Sequence, residues 1–120
     1  MSQLVWEGEA ELNRPFFVIA LEGLFDAAGA ATNSVDRLVT TYDAKPLANI
    51  DPEIFFNFQE ERPIVRIGDH GREVVWPTNS IWAAKCPNEN HDLVLLSGVE
   101  PHLRWRTFAD SLLEVAQSTN

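Results

Sequence analysis

Two strand-like runs, each followed by a turn and an amphipathic segment, constrain the fold of this chain more than any other feature. Phe16–Leu21 is continuously apolar, and Asp92–Ser97 carries a second apolar run near the other end of the chain. Continuously apolar strands are typical of a sheet whose two faces are both covered by helices. Two strand–turn–helix units with β-structure between them therefore predict an α/β fold with three layers (α/β/α) and a mixed β-sheet.

The segment after the first run has the spacing of a helix that lies on the sheet. Glu22–Asp26 has the composition of a turn, and Asp26 is the expected N-cap because its carboxylate can accept hydrogen bonds from free backbone amides. The apolar residues that follow recur at helical spacing, and they are Ala28, Ala31, Val35, Leu38, Val39 and Tyr42. We expect a strand, a turn and a helix in that order.

The middle of the chain is typical of β-structure. Lys45–Ile50 is a candidate strand, and Asp51-Pro52-Glu53 has the pattern of a helix start with proline at the first helical position. Ile64–Ile67 and Glu73–Trp76 flank a loop with two glycines, which predicts a β-hairpin. Ser80–Lys85 is a further candidate strand.

A second helix is expected after the last strand. Gly98 marks the turn, and Glu100-Pro101 opens the helix by the same preference for proline at its first position. One face of this helix carries the apolar side chains, which are Trp105, Phe108, Ala109, Leu112 and Ala116.

The composition is that of a globular chain with an acidic surface. Of the 120 residues, 45% are apolar, which excludes a disordered chain, and the formal net charge is −9. A negative charge of this size argues against binding to nucleic acid or to anionic lipid. No linker, repeat or low-complexity tract divides the sequence, so residues 1–120 are expected to form a single α/β domain.

The ends and the cysteine usage point to the cytoplasm. The N-terminal residues have neither the basic nor the apolar region of a signal peptide, and no apolar run approaches the roughly 20 residues of a membrane-spanning helix. The single cysteine, Cys86, cannot form an internal disulfide, which suits a reducing compartment. We therefore expect a cytoplasmic protein with no membrane partner.

Polar side chains at the two turns form the candidate binding site. Ligands of open α/β sheets bind beyond the carboxyl ends of the strands. If the two apolar strands are neighbours, the carboxylates of Glu22, Asp26 and Glu100 meet the guanidinium of Arg104 there. Clustered carboxylates suit acid–base chemistry or a hard cation. The same residues also fit two simpler roles, helix caps with an intrahelical Glu100–Arg104 ion pair, or a surface that binds a partner.

Other motifs for chemistry are weak. Neither turn has the glycine spacing of a nucleotide-binding loop, and the three histidines are too far apart in sequence for a local metal motif, so no cofactor or metal is expected. Cys86 and His91 would form a nucleophilic pair only if the fold brought them into contact. An incidental cysteine is the simpler interpretation.

The turn Glu22–Gly29 resembles the corresponding turn of the proteasome assembly chaperone 2 family, in its actinobacterial branch. The departures are small: Leu24-Phe25 stands where the family often has Trp-Asn, and Ser97 where it often has Arg, Leu or Lys. The resemblance continues in the family's order through most of the chain, at Ile50–Glu53, Phe58-Gln59, Arg62-Pro63, Trp76–Asn79 and Leu95–Trp105.

The resemblance implies a three-layer fold similar to nucleoside phosphorylases and a tendency to oligomerise. Family members are considerably longer, so the chain is expected to be the N-terminal portion of a longer family domain, with the fold incomplete; a shortened relative is the alternative. Archaeal and eukaryotic relatives are protein-binding chaperones, which implies an assembly-type protein that self-associates and has a proteasome-related partner. The resemblance implies no reaction. The alternative is a small-molecule hydrolase or phosphorylase-like enzyme with an acidic site at the strand ends.

Overall fold

Seven strands and two helices make up the part of the chain that the computed structural model describes, which is residues 4–23, 29–53, 55, 63–69, 71–75, 79–87 and 89–119. In chain order they are β1 (Leu4–Trp6), β2 (Phe16–Glu22), α1 (Ala30–Thr41), β3 (Lys45–Ile50), β4 (Ile64–Gly68), β5 (Gly71–Val75), β6 (Asn79–Ala84), β7 (Leu93–Val99) and α2 (Trp105–Thr119).

Five of these strands form a mixed sheet in the order β1-β3-β6-β7-β2. The two apolar runs are parallel neighbours, with Phe16 opposite Leu93 and Glu22 opposite Val99. The other three pairings of this sheet are antiparallel. The predicted mixed sheet is therefore confirmed, and the carboxyl ends of β2 and β7 lie side by side.

The two helices cover opposite faces of the sheet. Leu96 of β7 packs in one apolar cluster with Phe108 of α2, whereas the preceding residue, Leu95, packs in another with Val35 of α1. Successive side chains of a strand point to opposite faces, so the two clusters lie on either side of the sheet. The predicted three-layer α/β/α arrangement is confirmed.

β2 lies at the edge of the sheet and is not buried on both faces as predicted. Phe16 and Ile19 are 56% and 44% exposed, whereas Val94, Leu95 and Leu96 in the middle of β7 are fully buried. β7 has a strand on each side, and β2 pairs with β7 alone in this sheet. An apolar pattern reports on the two faces of a strand and carries no information about its edges, which is why the prediction was wrong.

α1 begins later than predicted. Its N-cap is Gly29, with a left-handed φ of 75° that glycine adopts at little cost, and no side chain caps the helix. Asp26, the expected N-cap, lies outside the described residues. The predicted apolar face is confirmed at Val35, which is buried, while Thr32 is buried in place of Ala31.

α2 begins at Trp105 and not at Glu100-Pro101. Arg104 has a left-handed φ of 58°, so no continuous helix runs through it, and its carbonyl accepts the Phe108 N–H at 3.0 Å. The predicted apolar face is therefore rotated, and Trp105 and Ala109 are exposed. The buried positions of the helix are Phe108, Ser111, Val115 and Thr119.

The middle of the chain largely follows the sequence pattern. β3 and β6 lie where strands were predicted, and β4 and β5 form the predicted hairpin as a separate two-stranded sheet. The helix predicted to start at Asp51-Pro52-Glu53 is not formed by the described residues, which make a turn in which Phe55 donates to the Pro52 carbonyl at 3.1 Å. The three-residue strand β1 was not predicted.

Candidate functional site

The parallel pairing of β2 and β7 brings Glu22 and Glu100 to the same end of the sheet, as predicted. The backbone N–H of Glu100 donates to the Glu22 carbonyl at 3.0 Å. The Glu100 side chain lies directly against Gly23, where an added Cβ would fall on its carboxylate. Glycine at this turn therefore allows the second carboxylate to fold back over the end of β2.

Arg104 does not join these two residues. It is exposed and lies directly before α2, and none of the ion pairs between described residues links it to Glu22 or Glu100. Because α2 begins after both residues, the predicted intrahelical Glu100–Arg104 pair is not formed. Asp26, the fourth candidate, lies outside the described residues, so the full cluster stays a prediction.

Neither the grouping of metal-binding side chains nor the cavities of the described residues support a ligand site at Glu22 and Glu100. Within the described residues, no three His, Cys, Asp or Glu side chains are grouped closely enough to hold a metal ion. A cavity of about 950 Å³ lies elsewhere, between β1, the segment after it and the last turns of α2. Glu22, Glu100 and Arg104 line neither this cavity nor the two smaller ones bounded by described residues.

The opposite end of the sheet holds a buried carboxylate that sequence reasoning missed. Oδ1 of Asp92 accepts the Cys86 N–H at 2.9 Å, and Oδ2 accepts the Asn13 N–H at 2.7 Å. These backbone hydrogen bonds, helped by the nearby charge of Lys85, hold the pKa of Asp92 below its ordinary value despite its burial. The available signal was an acidic residue directly before an apolar run.

Cys86 and His91 line one cavity of about 250 Å³, so the fold does bring them to the same place. Burial raises the pKa of the Cys86 thiol, and the negative charges of Asp92 and Glu89 raise it further. The thiolate is the nucleophilic form, so a buried thiol with a raised pKa is unreactive. The site favours the incidental cysteine over a nucleophilic pair.

His91 has a structural role at this cavity. Its Nδ1 lies 2.7 Å from the Arg14 carbonyl oxygen. A carbonyl can only accept a hydrogen bond, so Nδ1 is the donor and carries a proton. The ring stacks on Phe16 with centroids 4.1 Å apart. His91 thereby holds the segment before β2 against the segment before β7.

The β4–β5 hairpin presents an aliphatic surface to solvent. We call this the hairpin surface and define it by Ile64, Val65, Ile67 and Val74, which are all more than half exposed, Ile67 at 88%. The pairing register places Val65, Ile67 and Val74 on one face of the hairpin. Two-stranded hairpins are marginal alone, and contiguous exposed apolar patches mark interaction sites.

Neither helix of the described structure is long and apolar enough to cross a membrane.

The sequence model of the PAC2 family matches residues 20–120. A PAC2 family protein from Streptomyces avermitilis is 36% identical, with a TM-score of 0.80 over 86% of this chain and 44% of that chain. A proteasome-assembly chaperone homologue from Mycobacterium tuberculosis is 40% identical, with a TM-score of 0.77 over 84% of this chain and 43% of that chain.

A protein of unknown function from Corynebacterium glutamicum shares the fold at 20% identity, with a TM-score of 0.79 over 98% of this chain and 46% of that chain. No curated protein sequence matches the chain. The chain therefore spans less than half the length of each of these solved relatives.

Proposed function

The chain belongs to the PAC2 family, and on that premise we propose that it binds other proteins and acts in their assembly, as the proteasome assembly chaperones do. One observation carries this proposal, the hairpin surface. Three exposed aliphatic side chains on one face of the two-stranded sheet, with Ile64 on the other face, give a partner protein apolar area to bury, at about 1.5–3 kcal/mol for each side chain fully covered.

The charges of the hairpin fit a protein partner better than the charge of the whole chain does. Arg66 and Arg72 balance Asp69 and Glu73 within residues 64–75, whereas the whole chain carries −9. Arg66 and Glu73 also pair with each other at 3.1 Å. The hairpin is thus a locally neutral, apolar surface on an acidic protein, and a partner meets no net repulsion there.

The proposed partner is a proteasome-related protein, since one solved relative from Mycobacterium tuberculosis is described as a proteasome-assembly chaperone homologue. Self-association through the same surface is a second element of the proposal, because an apolar patch is self-complementary in a two-fold dimer. We place the protein in the cytoplasm, which suits its buried free thiol.

The test uses purified proteasome α and β subunits from an actinobacterium, mixed with the wild-type chain and two variants. Ile67→Glu puts a charge on the hairpin surface at its most exposed residue, and Leu113→Glu is the matched control, an exposed aliphatic residue of α2. Wild type and control are expected to co-elute with a subunit in size-exclusion chromatography. Ile67→Glu is expected to elute alone, with an unchanged circular dichroism spectrum.

Sedimentation velocity of the same three proteins tests self-association. The wild type and the control are expected to form a dimer or larger species that Ile67→Glu dissociates. A wild type that binds no subunit, or an Ile67→Glu variant that binds as well as the control, would contradict the proposed function.

The enzyme alternative has weaker support. Acid–base catalysis needs groups within hydrogen-bond reach of one substrate. Glu22 and Glu100 do meet at the strand ends, but Arg104 pairs with neither among the described residues, and none of the three described cavities opens onto them.

A further inference from the structure

One edge of β2 has backbone groups that no described strand accepts. Phe16 donates its N–H to the Asp92 carbonyl, and Glu22 accepts the Glu100 N–H, so the even-numbered residues of β2 point toward β7. Alternate residues of a strand direct their backbone groups to opposite edges. The N–H and C=O groups of Phe17, Ile19 and Leu21 therefore point to the edge away from β7.

This edge carries none of the usual protection against strand pairing. Residues 16–21 contain no proline, no charge and no bulge, and Phe16 and Ile19 are half exposed on the two faces. The opposite edge of the sheet is different, because β1 is only three residues long and offers little backbone to pair with. β2 is the edge that can accept a strand.

The two helices fix the direction in which the sheet would grow. The pairings of β3, β6, β7 and β2 make β2 and β3 parallel, so α1 crosses from β2 toward the β1 side on one face. α2 leaves β7 on the other face. Crossovers between parallel strands are right-handed in about 98% of cases. A right-handed crossover on the opposite face of a sheet leads the chain in the opposite direction along the sheet. A parallel strand after α2 is therefore directed toward the β2 side.

The position open to such a strand is the outer edge of β2, because β7 already has β6 and β2 as neighbours. Thr119, at the end of α2, lines the same cavity as Leu47 of β3 and two residues of β1, so α2 ends on the β1–β3 side of the sheet. From there to the outer edge of β2 is four strand spacings, about 19 Å, which about six extended residues span.

We propose that the free edge of β2 docks a parallel strand from polypeptide equivalent to the part of the PAC2 relatives that this chain does not match. The relatives supply the length for it, since this chain covers 44% and 43% of the two solved structures most identical to it among those described above. On this proposal the chain is the N-terminal portion of a longer family domain, and Phe16 and Ile19 are core residues of that domain.

The test mixes the 120-residue chain with overlapping synthetic peptides that cover the part of the Mycobacterium tuberculosis homologue outside the matched region, since a peptide needs no fold of its own to pair as a strand. Binding is expected by isothermal titration calorimetry, with slowed hydrogen exchange at the Phe17, Ile19 and Leu21 amides. Ile19→Lys is expected to weaken binding about tenfold or more, since lysine on an edge strand opposes pairing. Val5→Lys, on the other edge and similarly exposed, is the control and should bind as the wild type does.

Four results would overturn the proposal: no binding, equal weakening by the two lysine variants, protection of the β1 amides instead, or pairing of β2 with a second copy of this chain in place of the homologue. The exchange measurement uses the wild type, so it decides the question even if Ile19→Lys fails to fold. Ile67→Glu should leave this binding unchanged. The docking proposal for β2 can therefore fail while the proposed function of the hairpin surface holds, and the reverse.

Discussion

Asp92 shows at the residue scale how one buried charge ties three segments together. Its two carboxylate oxygens accept backbone N–H groups from Cys86, after β6, and from Asn13, before β2, while Asp92 itself leads into β7. Hydrogen bonds to an ionised acceptor are stronger than those between neutral groups. The charge is therefore retained in a place where an unbonded carboxylate would not remain ionised.

Asp92→Asn is expected to lower the free energy of unfolding by about 1–3 kcal/mol at pH 7, because the amide presents N–H to one of two N–H donors. The pKa of Asp92 is lower in the folded than in the unfolded state, so its stabilisation is present above about pH 4 and lost as pH falls through the folded value. Urea unfolding from pH 7 to pH 3 should show the gap between the proteins closing in acid. A gap that widens in acid would contradict this.

Asn79 and Gly98 form a second close contact, which joins the start of β6 to the end of β7. The buried Asn79 amide accepts the Val99 N–H at 2.9 Å and donates to the Val99 carbonyl at 3.3 Å. A Cβ at Gly98 would fall on this amide. Gly98→Ala is therefore expected to cost about 2–4 kcal/mol through overpacking and loss of these hydrogen bonds. Thermal denaturation measures it, and an unchanged melting temperature, equal to that of a Ser97→Ala control, would show that this contact does not exist.

At the scale of elements, α2 is held to the sheet through Phe108. Its side chain is 1% exposed, and its ring meets those of Phe55 and Trp105 at centroid distances of 5.5 and 6.0 Å. Phe108→Ala is expected to lower the free energy of unfolding by about 3–5 kcal/mol, measured by denaturant titration. Leu113→Ala, at an exposed position of the same helix, should change it by less than about 0.5 kcal/mol. Similar losses in both variants would show that α2 is not anchored by its buried face.

Apolar periodicity predicted most of the elements, because burial of one face leaves a pattern along the chain. The start of α2 was not predictable in this way. The N–H groups of His102 and Leu103 both bond to the Phe55 carbonyl, at 2.7 and 3.0 Å, and this long-range contact holds the backbone out of the helix until Trp105. A preference for proline at a helix start acts within one segment and cannot anticipate a partner nearly fifty residues away.

In the candidate site, too, the sequence predicted what depends on the order of elements and missed what depends on long-range contacts. Glu22 and Glu100 were predicted to meet because parallel neighbouring strands end at one edge, a rule that needs only the order of elements. The position of Arg104 depended on where α2 starts, so it was missed. An acidic residue directly before an apolar run marks Asp92 as unusual, but its role depends on the backbone amides of Cys86 and Asn13 that approach it, and the local sequence does not show which amides these are.

At the scale of the whole molecule, the structure separates two apolar surfaces. The hairpin surface lies on its own two-stranded sheet, and the β2 edge belongs to the five-stranded sheet. The two surfaces share no strand pairing, so a contact that adds a strand to one sheet does not use the backbone groups of the other. The two proposals assign completion of the sheet to one surface and binding of a partner to the other.

The sheet order also has a consequence in time. β2 pairs with β7, and 77 residues separate Phe16 from its partner Leu93. At about 5–20 residues per second, a ribosome needs about 4–15 s to make the chain between them. During that interval the apolar strand is outside the ribosome with no sheet to join. We therefore expect chaperones of nascent chains to bind β2 during synthesis. A protein proposed to assist the assembly of others would then itself need a chaperone before β7 is made.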